Sequence, residues 1–176
     1  MSGDADKDED GFTTFRPRDN VSRYQFVTTL YRLAGEPDTT GLSNPFTDVN
    51  LKKDGTKPYY YDPVIWAYDA GVTTGKTATT FAGSQNISRQ QMATMLYRYA
   101  EVKGFDISGE ADITGYPDYS KVAGYAKAAL AWANEESIIT GKEIGGQKFL
   151  DPGANATRQE CATILQRFME RYMSDR

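Results

Sequence analysis

Arg23, Arg89 and Arg158 each follow a hydroxyl residue (Ser22, Ser88, Thr157) and each precede a Gln or Glu by two positions (Gln25, Gln91, Glu160). The hydroxyl and the Gln or Glu have the spacing of a capping box. In that motif the hydroxyl takes the backbone N–H three residues on and the longer side chain reaches back. Capping explains those residues and leaves the arginine unexplained. A cation in a first helical turn opposes the helix dipole by roughly 0.3–1 kcal/mol, yet the arrangement is written three times. An anion bound there would meet a guanidinium fork together with free backbone N–H groups. A bond from each arginine to a neighbouring loop is the structural alternative. Under the anion reading, replacing the three arginines with Ala is expected to leave stability unchanged or slightly raised.

Other residues allow chemistry of their own. Asp48, in Phe46-Thr47-Asp48-Val49, and Asp118, in Tyr116-Pro117-Asp118-Tyr119, suit turns or caps. Trp66 and Trp132 could stack on a sugar face or pack in a core. Gly75 and Gly141, each after a Thr, could stop a helix or let a ligand approach the backbone. Asp6-x-Asp8-x-Asp10-Gly11 resembles the opening of a calcium loop, but its twelfth position is Pro17, where a bidentate carboxylate is needed. It reads as an acidic surface segment, with calcium the lesser alternative. Cys161 is the sole cysteine and His is absent. An internal disulfide, a thiolate cluster and a histidine-activated nucleophile are therefore closed, and Cys161 reads as a core thiol.

The elements that position these residues recur. Phe15–Gly35, Phe81–Glu101 and Phe149–Glu170 superpose, and each carries a second arginine nine positions after the first (Arg32, Arg98, Arg167). Upstream of two of them, Trp66-Ala67 leads to a Thr74-Gly75 stop and Trp132-Ala133 leads to a Thr140-Gly141 stop. Apolar residues fall at helical spacing: Phe26, Val27 and Leu30; Met92, Ala93 and Leu96; Cys161, Ala162 and Leu165. Asp62-Pro63 suits a helix start, and Val122, Tyr125, Ala126, Ala129, Trp132 and Ala133 predict a longer helix with one buried face. No stretch alternates long enough to predict a strand. The expected fold is all-α, helix-loop-helix repeats around a shared core. Residues 1–35 form the second half of a first repeat, and 36–103 and 104–176 form two full ones. Ser2-Gly3 stands where a Thr-Gly stop belongs, so the first unit is expected to lack its Trp helix and to leave an apolar patch open to self-association.

The net charge of −4 and the lack of a Lys/Arg block argue against nucleic acid. No apolar run is long enough to insert in a membrane. The sequence shows no signal peptide, which says nothing of destination.

The ordered set of an aromatic-x-Asp turn, Trp-Ala helix, Gly stop, Phe loop and Ser/Thr-Arg helix start resembles the S-layer homology family. It departs from that pattern at Gly83, which stands for a loop Pro, and at Tyr24, Gln90 and Gln159, which stand for a motif Ala. The resemblance implies a pseudo-threefold arrangement with ligand grooves between units. It further implies a non-catalytic, cofactor-free, extracellular module at the cell wall. Its expected ligand is a secondary cell-wall polysaccharide, often pyruvylated, on the peptidoglycan of a Gram-positive-type bacterium. It implies that Asp48 and Asp118 help line the grooves, beside the ligand contacts already read at Arg23, Arg89 and Arg158. A protein–protein assembly module using the same grooves is the alternative. A glycoside hydrolase would need an acid and a base carboxylate across a cleft, and no such pair stands out.

Overall fold

The capping boxes fix where three helices begin. In the computed structural model, which describes residues 15–174, Ser22, Ser88 and Thr157 are extended. Each accepts the backbone N–H three residues on, and Gln25, Gln91 or Glu160 returns a bond to the cap's own N–H. The helices that follow are α1 (Arg23–Leu33), α3 (Arg89–Val102) and α5 (Arg158–Tyr172). The Trp helices are α2 (Tyr61–Asp69) and α4 (Lys127–Glu135). The fold is thus mainly helical. Asp6, Asp8 and Asp10 lie outside the described residues.

Two helix starts differ from expectation. Helix α2 begins at Tyr61 without a side-chain cap. Asp62 instead accepts from Thr39 Oγ1 and Lys57 Nζ, both at 2.7 Å, and so ties down the preceding linker. The longer helix of the third unit is broken. Two 3-10 turns, Tyr119–Lys121 and Gly124–Ala126, precede α4, and the Ala123 N–H is taken by the Gln90 side chain at 2.9 Å. Val122 and Ala126 still bury, but the break turns Tyr125 outward, to 55% exposure.

One strand pair was not foreseen. β1 (Lys142–Ile144) and β2 (Gln147–Phe149) form an antiparallel hairpin with Ile144 opposite Gln147. Gly145 and Gly146 both have positive φ, 60° and 80°, as a two-residue hairpin turn of this hand requires. The hairpin shifts the register of the repeats. The carbonyls of Phe15, Phe81 and Leu150, not Phe149, occupy equivalent places and accept from the three arginines. The residues after them, Arg16, Ala82 and Asp151, share a left-handed conformation with φ of 44°, 55° and 52°.

The segments close on one another around an axis. Val21 N–H donates to Ala156 O, Ala156 N–H to Ile87 O, and Ile87 N–H to Val21 O, all at 2.9 Å. These three side chains are buried where the segments meet. The apolar stripes of α1, α3 and α5 pack into a shared core that no unit could bury alone. Helix α2 covers α1, and α4 covers α3. Trp66 sits 5.6 Å from the Tyr31 ring of α1, and Trp132 sits 5.4 Å from the Tyr97 ring of α3. No such helix lies on α5 among the described residues, and its Ala162 is only half-buried where Val27 and Ala93 are fully buried.

Candidate functional site

The arginines are the best-defined feature of the inter-repeat junctions. Arg23, Arg89 and Arg158 are 3%, 3% and 7% exposed. Each Nε donates to a carbonyl of the next segment: Arg23 to Phe81 O at 3.0 Å, Arg89 to Leu150 O at 3.0 Å, and Arg158 to Phe15 O at 2.8 Å. The bonds run cyclically from first to second, second to third and third to first. The backbone N–H groups of the same helix starts are also consumed. Those of Arg23, Arg89 and Arg158 reach Gln85, Ala154 and Asp19 carbonyls, and those of Tyr24, Gln90 and Gln159 reach Gly83, Pro152 and Pro17 carbonyls, at 2.8–3.0 Å. The expectation of free helix N–H groups for an anion is therefore corrected. Neighbouring loops satisfy them, and the arginines staple the units. Removing an arginine would leave a loop carbonyl unpaired, so neutral or raised stability no longer follows.

What remains of each guanidinium differs from site to site. Arg89 also donates to Thr140 O at 3.1 Å and lies 3.5 Å from Glu160 Oε1. The Nη2 of Arg23 is buried without a partner, and its guanidinium lies over the Phe81 ring at 4.8 Å. Burial pulls both Arg23 and Arg89 below the usual arginine value. Tyr125 and Asp48 partly offset this at Arg23, and Glu160, Asp151 and Asp118 do so at Arg89.

Two grooves open at these arginines. The first, about 370 Å³, is lined by Arg23, the loop Thr73-Thr74-Gly75-Lys76, Gln91, Thr94, Met95 and Arg98 of α3, and Tyr125. The second, about 290 Å³, is lined by Arg89, the loop Ile139-Thr140-Gly141-Lys142, and Gln159, Glu160, Thr163, Ile164 and Arg167 around α5. They are counterparts position for position: Ile139, Glu160 and Ile164 stand where the first has Thr73, Gln91 and Met95, while Tyr125 is added in the first and Gln159 in the second. A third hollow of about 700 Å³ lies between α1 and α5, lined by Arg32, Leu33, Ala162, Leu165, Met169 and Met173 among others.

Asp48 and Asp118 face the loops. Asp48 accepts the N–H groups of Phe81 at 2.8 Å and Ala82 at 2.7 Å, and Asp118 accepts those of Leu150 at 3.0 Å and Asp151 at 2.7 Å. Each carboxylate thus clamps the left-handed turn whose carbonyl the arginine also holds. Gly75 and Gly141 line the grooves, and each lies under an aromatic ring. A Cβ at Gly75 would come 2.5 Å from Phe46 Cε1, and one at Gly141 would come 2.6 Å from Tyr116 Cε1. Trp66 and Trp132 lie in the core, 7% and 0% exposed, and Trp132 Nε1 donates to Tyr172 Oη at 3.2 Å. A sugar-stacking role for them finds no open face.

The sequence offers Arg98 and Arg167 only as repeated second arginines, and gives Lys76, Lys142 and Tyr125 no place at a site. The signal for four of them is the repeat itself: Gly-Lys after each stop, and an arginine nine residues after each helix start. Tyr125 carries no such signal because it has no counterpart in the first groove's twin. Among the described residues there is no group of three or more Cys, Asp or Glu able to hold a metal ion.

The S-layer homology domain model matches residues 45–93 and 115–162. The chain is 31% identical over 156 residues to the surface-layer 125 kDa protein of Lysinibacillus sphaericus, covering 89% of this chain and 12% of that protein. It is 33% identical over 153 residues to an endoglucanase of Bacillus sp. (strain KSM-635), covering 87% of this chain and 15% of the enzyme. An amylopullulanase of Thermoanaerobacterium thermosulfurigenes is 26% identical over 159 residues, 90% of this chain and 8% of the enzyme. An undecaheme cytochrome from the S-layer of Carboxydothermus ferrireducens aligns in structure with a TM-score of 0.41 at 20% identity, over 87% of this chain and 21% of that one. The chain spans a small part of each curated relative's length.

Proposed function

The chain belongs to the S-layer homology domain family, a non-catalytic surface-anchoring module, and from that premise we propose that it binds a secondary cell-wall polysaccharide. The polymer is anionic, carries pyruvate ketals and is attached to the peptidoglycan of a Gram-positive-type bacterium. The working site is the set of inter-repeat grooves. Arg23, Arg89 and Arg158 join the units there, and Gly75 and Gly141 admit the sugar. In this reading residues 1–35, 36–103 and 104–176 act as half of one repeat and two full ones, together forming one module outside the cell.

The observation that carries the reading is the Arg23 groove. Three cations, Arg23, Lys76 and Arg98, line it without a carboxylate among the lining residues. Desolvating a guanidinium is costly unless it is paired, and Arg23 Nη2 has no hydrogen-bond partner among the described residues. An acidic sugar substituent supplies one. The relatives fit this reading: a surface-layer protein, an endoglucanase and an amylopullulanase each match this chain over a small part of their own length. The test is cosedimentation with purified wall sacculi, before and after acid extraction of the secondary polymer. Retention that survives extraction would remove the polysaccharide as the ligand.

The runner-up, a protein–protein assembly module, is favoured by one feature. The face of α5 that no described helix covers presents Leu165, Met169 and Met173, with Met169 44% exposed.

A further inference from the structure

Three positions at the hollow between α1 and α5 break the pattern of the other junctions. Leu33 is half-buried where its repeat counterparts Tyr99 and Phe168 are fully buried, and Ala162 is half-buried where Val27 and Ala93 are fully buried. The third is Gln166, which holds the place of Tyr31 and Tyr97, the rings that α2 and α4 meet with Trp66 and Trp132. Gln166 is exposed and donates its amide to Glu170 Oε1 at 2.8 Å. The face of α5 therefore lacks the aromatic contact made at both covered faces, and it offers Leu165, Met169 and Met173 instead. Methionine packs adaptably against irregular apolar partners.

Charge selects the occupant of this hollow. Arg32 stands on its α1 wall and Glu170 on its α5 wall. Both are exposed, and neither is in an ion pair among the described residues. A partner of one sign would satisfy one wall and oppose the other. A second copy satisfies both, because a two-fold interface sets residue i of one copy against j of the other and j against i. We infer that this face is self-complementary: two copies of the chain pack α5 against α5, with the axis along the hollow, and each Arg32 pairs with the Glu170 of the other copy. The grooves at Arg23 and Arg89 are lined by other residues, so the pairing leaves them open. The inference does not rest on the polysaccharide reading.

Charge exchange tests the pairing and its symmetry together. A homodimer of Arg32→Glu meets like charges at both contacts, and so does one of Glu170→Arg. Mixed one to one, the two variants face opposite charges at both contacts again, as does a chain carrying both substitutions. Sedimentation equilibrium measures each, with thermal unfolding alongside. The wild type is expected to dimerise reversibly. Each single reversal should weaken the dimer by about ten-fold or more, since juxtaposed like charges suppress association. The mixture and the double variant should recover most of that loss. A wild type that stays monomeric, single reversals that dimerise as well as the wild type, or a mixture no tighter than its components overturns the inference. Should a single variant misfold, the double variant decides: folded and monomeric, it overturns the inference as well. Wall sacculi keep the two readings apart. A dimer that does not bind sacculi removes only the polysaccharide reading, and a strict monomer that binds them removes only this one.

Discussion

At the scale of single residues, the arginines are staples, and what their guanidiniums leave over is the proposed site. Each joins a helix start to the neighbouring loop through Nε, so Ala at Arg23 or Arg89 strands a buried carbonyl and Ala at Arg158 a part-buried one. Hydrogen bonds from charged donors contribute about 1.5–3 kcal/mol. Urea unfolding should place each Arg→Ala variant about that far below the wild type, with Arg89→Ala lowest because it loses bonds to Leu150 O, Thr140 O and Glu160 together. Unchanged midpoints would mean that the loops rebond without the guanidinium. Cys161 gives a second residue-scale expectation. Its thiol is fully buried, and burial pushes its pKa up to about 12. Since thiolate is the reactive form, iodoacetamide at pH 8 should leave the native protein essentially unlabelled and modify it readily in urea. Native labelling at the rate of a free thiol would contradict the core placement.

At the scale of elements, two departures from the family pattern, Tyr24 and Gly83, compensate one another. Tyr24, in place of a motif Ala, stacks on Tyr60 with ring centroids 3.6 Å apart and donates to Asp48 O at 3.1 Å. Its ring fills the space that a Cβ at Gly83 would need. The other two loops keep Pro17 and Pro152 opposite Gln159 and Gln90. Gly83→Ala should therefore destabilise by about 1–3 kcal/mol through overpacking, and Tyr24→Ala in the same chain should recover part of the loss of the single Gly83 variant. A double-mutant cycle by urea unfolding measures that coupling, and strict additivity would refute it. Glu160 sets an acid limit. Burial raises its pKa, but bonds from Lys142 and the Thr157 N–H and the charges of Lys142 and Arg89 outweigh this and hold it below the ordinary value. A depressed carboxylate stabilises the fold fully above the unfolded value of about 4.3, and that contribution is lost as pH falls through the lower folded value. Glu160→Gln should flatten this part of the acid limb in melts between pH 6 and pH 3. The starts of α1, α3 and α5 were legible in the sequence because a capping box is local. The break before α4 was not, since it depends on Gln90 reaching across from another segment. The β1–β2 hairpin hid because its strands are too short for alternation, although Gly145-Gly146 marked its turn. Site chemistry was half legible: the arginines stood out by repetition, but their carbonyl partners lie about 60 residues away or more.

At the scale of the whole molecule, the ring of segments is closed in its backbone and open in its helical coat. The cyclic bonds of Val21, Ile87 and Ala156 treat the three segments alike. The Trp helices do not, because α2 lies on α1 and α4 on α3 while no described helix lies on α5. The consequence is local: Ala162 is half-buried, Met169 is 44% exposed, and a hollow of about 700 Å³ runs between α5 and the Leu33 end of α1. Apolar surface left in water forgoes about 25 cal/mol per Å². A face shaped to receive a helix offers that gain to whatever apolar segment reaches it, a second copy of this chain included. Sedimentation velocity should therefore show dimers growing with concentration. Met169→Lys, which adds a charge at an already exposed position, should shift the protein to monomer without lowering its melting temperature. The grooves proposed to bind the wall lie at other helix faces, so under that proposal the variant should keep its affinity for sacculi. A wild type that stays monomeric across the accessible concentration range would mean that this face is covered within one chain, and the assembly reading would lose its structural support.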